Sequence, residues 1–238
     1  VACSVGELLL GKPRNGYSPK SVDYPTPVRS LTLSATTSGV FKGQHFKYID
    51  EPIPNDSHLW LKPGDILIQR ANTIEYVGVS AIFDGNEGEF IYPDLMMKCQ
   101  ANGKIIPHYL HHLLSADGMR TYFRDNATGT AGNMPKINQQ TLMSAPAQLP
   151  PLPEQHEIVR RVETLFAFAD RLEARCTAAR KQVGQLTPAL LAKAFRGELV
   201  PQDPNDEPAA ELLKRLAASR GDAPRARRGR RSPAPDAA

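Results

Sequence analysis

The chain has 238 residues, 41% of them hydrophobic and 23% charged, with a formal net charge of +4. This is the composition of an ordinary globular chain, long enough to bury a core, and no apolar run approaches the ~20 residues of a membrane span. Cys3, Cys99 and Cys176 are odd in number and widely spaced, with no Cys-x-x-Cys pair, which points to free thiols in a reducing compartment and away from zinc.

The charge is unevenly divided. From Lys214 to Ala238 eight basic residues face only Asp222 and Asp236, a local +6 that leaves −2 for the rest. A nucleic-acid partner of the globular part would therefore be met by a local patch, not by bulk positive charge. The chain opens on Val, as a fragment, a processed product or an unusual start would. Val1 to Leu10 carries Glu7 and lacks the basic start of a signal peptide.

Residues 1–150 read as a mixed α/β domain. Strand-like stretches, short and β-branched or aromatic, run Val28–Leu33, Asp65–Arg70, Glu75–Phe83 and Glu89–Tyr92. Turn-rich segments such as Lys62-Pro63-Gly64-Asp65 and Asp84-Gly85-Asn86-Glu87-Gly88 separate them. A helix opens at Pro107, with Tyr109, Leu110, Leu113 and Leu114 at helical spacing; Gly118 ends or divides it, with a second short helix over Met119–Arg124. The polar loop Asn126–Asn138 follows, with two glycines, several hydroxyl and amide side chains and Lys136. Such a loop serves as plain connection or brings donors to a phosphate backbone or to base edges.

The longest pattern begins at Leu152. Ile158, Val162, Leu165, Ala169, Leu172, Cys176, Ala179, Val183, Leu186 and Leu190 alternate at steps of four and three, the heptad seam of a helix lying along another helix. Pro153 and Glu154 suit its first turn. At about 1.5 Å per residue the seam would reach on the order of 50 Å, more than a small domain covers, so a partner is implied. Gly184 and Pro188 predict a break near residues 187–188, with Thr187 capping a restart that ends at Gly197. Beyond it lie a proline-rich acidic spacer, Val200–Pro208, a short amphipathic helix over Ala209–Ser219, and an Ala-, Pro- and Arg-rich tail in which order is not expected.

No catalytic constellation emerges. There is no Gly-x-Gly-x-x-Gly or Walker-type loop, no His-Glu-x-x-His helix, and no Asn- or Asp-Pro-Pro-Tyr tetrapeptide of amino-methyltransferases. His108 and His112 stand four apart, but no acidic third ligand accompanies them, so no metal site is assigned.

Leu149-Pro150-Pro151-Leu152-Pro153-Glu154-Gln155 before the long helix, Ala194-Phe195-Arg196-Gly197-Glu198-Leu199-Val200 after it, and Pro201–Ala209 closely resemble the DNA-specificity subunit of type I restriction-modification enzymes. Gly64–Arg70 and Arg14-Asn15-Gly16-Tyr17-Ser18-Pro19 are similar to stretches of that family's target recognition domain. The resemblance spans nearly the whole chain and is most specific from Leu149 to Ala209.

The resemblance implies a target recognition domain (1–150), a spacer helix (151–200) and a spacer with a basic tail (201–238). It implies a DNA reader with no chemistry or cofactor of its own. S-adenosylmethionine would sit on partner modification subunits docked on the helix, and a restriction subunit would complete a cytoplasmic complex. A specificity subunit of that family has two recognition domains joined by two antiparallel helices. One domain and one helix thus read as half of such a subunit, reading one half of a split site on double-stranded DNA and pairing with a second copy or a second half. A structural coiled-coil adaptor without DNA binding is the alternative.

Candidate DNA contacts are Arg70, Asn72 and Thr73 after a strand, and Thr130, Asn133, Lys136 and Asn138 in the polar loop. Arg can pair with guanine and Asn with adenine in two-point fashion, while Lys more often holds phosphate. Helix pairing and subunit docking fall to the seam from Ile158 to Leu186.

Overall fold

The computed structural model describes residues 1–129, 134–201 and 203–221. These fall into two compact units, Val1–Ala169 and the part from Asp170 onward. The first unit carries, in chain order, β1 (Ala2–Ser4), β2 (Arg14–Asn15), β3 (Ser21–Val22), β4 (Val28–Leu31), β5 (Phe46–Ile49), β6 (Ile66–Gln69), β7 (Ser80–Ile82), β8 (Phe90–Ile91), β9 (Met96–Cys99), α1 (Pro107–Ser115), α2 (Asp117–Asp125), α3 (Gln139–Met143) and β10 (Pro146–Gln148). The helix α4 (Leu152–Phe195) starts in it, and α5 (Ala209–Gly221) belongs to the second unit.

Two four-stranded sheets organise the first unit. One has the order β2-β9-β6-β7 and is antiparallel throughout; the other has the order β3-β5-β4-β8, with β4 and β8 parallel. Successive residues of a strand face opposite sides, and β6 is buried on both. Ile66 and Ile68 enter a core shared with Val5, Met97, Leu110, Leu114, Phe123 and Leu142, between the sheet and the helices. Leu67 enters a second core with Leu31, Leu61, Phe83, Phe90 and Tyr92, between the sheets. The uninterrupted apolar run Ile66-Leu67-Ile68 is thus that of a strand covered on both faces.

Before β6, Gly64 takes φ +89, a conformation that costs glycine little. It turns Asp65 inward, where the carboxylate accepts the Lys62 N–H at 2.9 Å and the Gln100 amide at 2.6 Å and pairs with Lys98 at 3.2 Å.

Three expectations change. The strand expected over Glu75–Phe83 is reduced to Ser80–Ile82, because Gly78 at φ +76 bends the chain and Arg120 takes the carbonyls of Val77 and Glu75 at 2.6 and 2.7 Å. The first helix leaves helical geometry at Ala116, before Gly118, and Asp117 opens α2 with a carboxylate at its positive end. The long helix has no break near residues 187–188: Pro188 lies inside it. A proline removes one N–H donor and crowds the carbonyl four residues earlier. Here that residue is Gly184, which is exposed with open space around its Cα, so water can satisfy the freed carbonyl.

The first compact unit also runs past residue 150 into α4. The tail beyond Gly221 lies outside the described residues.

Candidate nucleic acid interface

The two loops proposed from sequence are adjacent. Ala71 and Thr128 both bridge to Lys136. Thr128 and Lys136 exchange N–H to carbonyl bonds of 2.8 and 2.9 Å, Ile137 N–H donates to Arg70 at 2.8 Å, and Asn72 N–H donates to Pro135 at 3.3 Å. A third segment closes the group, for the Leu95 carbonyl accepts Arg70 N–H at 2.9 Å and Ala71 N–H at 3.3 Å. Leu95, Thr128, Gly129, Met134 and Lys136 line one open hollow.

The side chains have different employments. Arg70 Nη1 donates to the Asp94 carbonyl at 3.3 Å, while its buried Nε has no acceptor among the described residues. A buried N–H without a partner costs about 1–3 kcal/mol. Lys136 is exposed and has no carboxylate partner among the described residues. Thr73 is exposed, its hydroxyl donating to Glu75 at 2.9 Å.

Asn72 and Asn138 are occupied by the fold. Asn72 donates to Gln69 at 2.5 Å and accepts Thr73 N–H at 2.7 Å. Asn138 caps α3, accepting Thr141 N–H at 2.8 Å. Thr130 and Asn133 lie outside the described residues.

Two residues that hold this surface, and a third that holds the start of α4, carried no assignment in the sequence. Gln69, fully buried, donates to the Leu33 carbonyl and the Thr36 and Thr37 hydroxyls at 2.9–3.1 Å while accepting from Asn72. Arg120 fastens the turn after Thr73. Their only outward signals are a glutamine closing an apolar strand and an arginine between Met119 and Phe123. The third, Gln155, is fully buried at the start of α4. It accepts Ile106 N–H at 2.9 Å and donates to the carbonyls of Lys104 and Pro150 at 3.0 and 2.9 Å.

Along α4 the seam divides by unit. In the first unit Ile158 and Val162 are half-buried, while Leu165 and Ala169 are exposed; Phe166, also exposed, sets its ring 6.2 Å from that of His112. In the second unit Leu172, Cys176, Ala179, Val183 and Leu186 are all exposed.

A model of the type I restriction modification DNA specificity domain matches residues 27–179. The chain belongs to the type I restriction-modification DNA-specificity family. Within that family it is 31% identical over 224 residues to the EcoKI specificity subunit of Escherichia coli strain K12, an alignment covering 90% of this chain and 48% of the relative. It is 38% identical over 207 residues to the EcoDI specificity subunit of Escherichia coli, covering 84% and 44%. The chain spans about half the length of these specificity subunits. The crystal structure of the HsdS subunit from Thermoanaerobacter tengcongensis shares its fold, with a TM-score of 0.58 and 22% identity over 88% of this chain and 51% of that one. The family match includes the strand that leads to Arg70, the Lys136 loop and the start of α4 with Gln155.

Proposed function

We propose that this chain is a non-catalytic DNA-recognition half of a type I restriction-modification complex. Its first unit reads one half of a bipartite double-stranded site, and the exposed seam of α4 pairs with a second half and receives modification subunits. Those subunits carry S-adenosylmethionine, and a restriction subunit joins them in the cytoplasm.

One observation carries the reading. Arg70 and Lys136, far apart in sequence, are brought to one surface by direct backbone bonding, and both present cationic donors not fully used by the fold. Arg70 suits a guanine edge, Lys136 a phosphate, and the Thr73 hydroxyl either. Thr130 and Asn133 belong to the same loop in sequence. Asn72 and Asn138 act through loop shape, holding Thr73 and the start of α3.

The exposed apolar seam supports the pairing. Leu165, Leu172, Val183 and Leu186 would each gain by removal from water, and Ala169, Cys176 and Ala179 let another helix come close. A second copy related by a two-fold axis would cover like with like.

Selection of duplexes from a random pool by the full chain with its modification subunit tests the proposal. Enrichment of a short fixed half-site is the expected result. Recovery of unenriched DNA would leave a coiled-coil adaptor without DNA reading.

A further inference from the structure

The segment Pro93–Leu95 has a second side. On one, Leu95 accepts the N–H groups of Arg70 and Ala71 and lines the hollow with Thr128 and Lys136. On the other, Pro93 and Leu95 wall a cleft of about 380 Å3 formed with β3, β4 and β5. Ser18, Ser21, Ser30, Thr32 and Ser34 bring five hydroxyls to it, Lys47 brings an ammonium group, and no carboxylate lines it.

Lys47 stands opposite Ser30 in the β4–β5 ladder. It is exposed and has no ion pair or hydrogen bond among the described residues; the Ser21, Ser30 and Ser34 hydroxyls are likewise unengaged there. Ser18 is tied to Asp94, the residue whose carbonyl receives Arg70. The cleft and the Arg70 loop are therefore walled by one short segment.

An ammonium beside free hydroxyls favours an anion with several acceptor oxygens; the Asp94 carboxylate, bonded to the wall residue Ser18, is the acid group next to the cleft. Lys and Ser or Thr side chains are regular partners of backbone phosphates. The geometry points to a phosphodiester seat: Lys47, with Ser30 and Ser34, holds a backbone phosphate of the duplex whose bases are read at Arg70. This rests on the DNA-reading proposal and deepens it. The seat fixes register and carries no sequence information, so a change at Lys47 acts equally on all sequences, unlike one at Arg70.

The test uses the full chain with its modification subunit, a selected duplex and scrambled duplexes, each titrated with potassium chloride. Lys47→Ala is expected to weaken binding to all of them by the same factor. It should also lower the slope of log K against log salt by about one, with Lys47→Arg restoring it. Replacing single phosphates by uncharged methylphosphonates should reveal one position that weakens the wild type and leaves Lys47→Ala unaffected. Orthophosphate at equal ionic strength should compete no better than chloride; specific competition would make the cleft a small-anion site and overturn the seat on DNA. Wild-type binding with an unchanged slope in Lys47→Ala overturns the seat and leaves DNA reading standing. Absence of sequence-selective binding by the wild type overturns both.

Discussion

Gln155 accepts the Ile106 N–H at 2.9 Å and, through the other end of the same amide, holds the carbonyls of Lys104 and Pro150. The first turn of the long helix is thereby fixed to the loop that opens α1, and the side chain is buried with both amide ends used. Gln155→Ala would leave one donor and two acceptors with lost partners. The expected destabilisation is about 2–4 kcal/mol, measured by urea unfolding, with faster amide exchange at Ile106. Unchanged exchange there would show that helix and domain are joined by other contacts.

Gly78 is the second fixed point. At φ +76, a Cβ would lie 2.5 Å from the Phe123 ring. Backbone strain and overlap act together in Gly78→Ala, with an expected loss of about 2–4 kcal/mol. Thermal unfolding of this variant beside Gly118→Ala, where nothing lies within 4 Å, separates the local effect from a general one. Equal midpoints for the two would contradict it.

These positions show what the sequence made legible. The apolar run of β6, the Pro107 helix and the long helix from Leu152 are all present, the first legible as a continuous apolar stretch and the two helices by their helical spacing. The pair β1–β10 was not foreseen, since Ala2–Ser4 and Pro146–Gln148 are short and lack β-branched residues. Glu75–Phe83 has strand composition, yet its path is decided by Arg120, more than 40 residues away. At the candidate site, the meeting of the Arg70 and Lys136 loops depends on long-range backbone bonds that no local pattern records. The capping roles of Asn72 and Asn138 depend on neighbours only a few residues away, where amide side chains compete equally well for turns and for bases.

His111 sets a pH dependence. Burial, then the neighbouring His112 and His108, lower its pKa to about 4, and its Nδ1 lies 3.1 Å from the Ser80 hydroxyl. Unfolded, the ring binds a proton near pH 6.5, so between pH 6.5 and 4 the unfolded state holds more protons and stability falls as pH is lowered. A decrease on the order of 1–3 kcal/mol across that window is expected in urea titrations, flattened in His111→Gln. An identical slope in the variant would place the acid sensitivity elsewhere.

Leu165 tests the seam. It is 66% exposed in the first unit, so Leu165→Asp should leave the fold of that unit intact by circular dichroism. Its assembly mass by light scattering should fall to that of a single chain. A wild-type mass that is already monomeric, or a variant mass unchanged from a larger wild type, would count against pairing through this face.

In the proposed function, sequence is read where the Arg70 and Lys136 loops meet. Fluorescence anisotropy on a selected half-site and a scrambled duplex, at one salt concentration and with the modification subunit present, tests it most directly. Arg70→Ala is predicted to lose about 1–3 kcal/mol on the selected site and little on the scrambled one, whereas Lys136→Ala should weaken both alike. Unaltered affinity of both variants for the selected duplex would contradict the account.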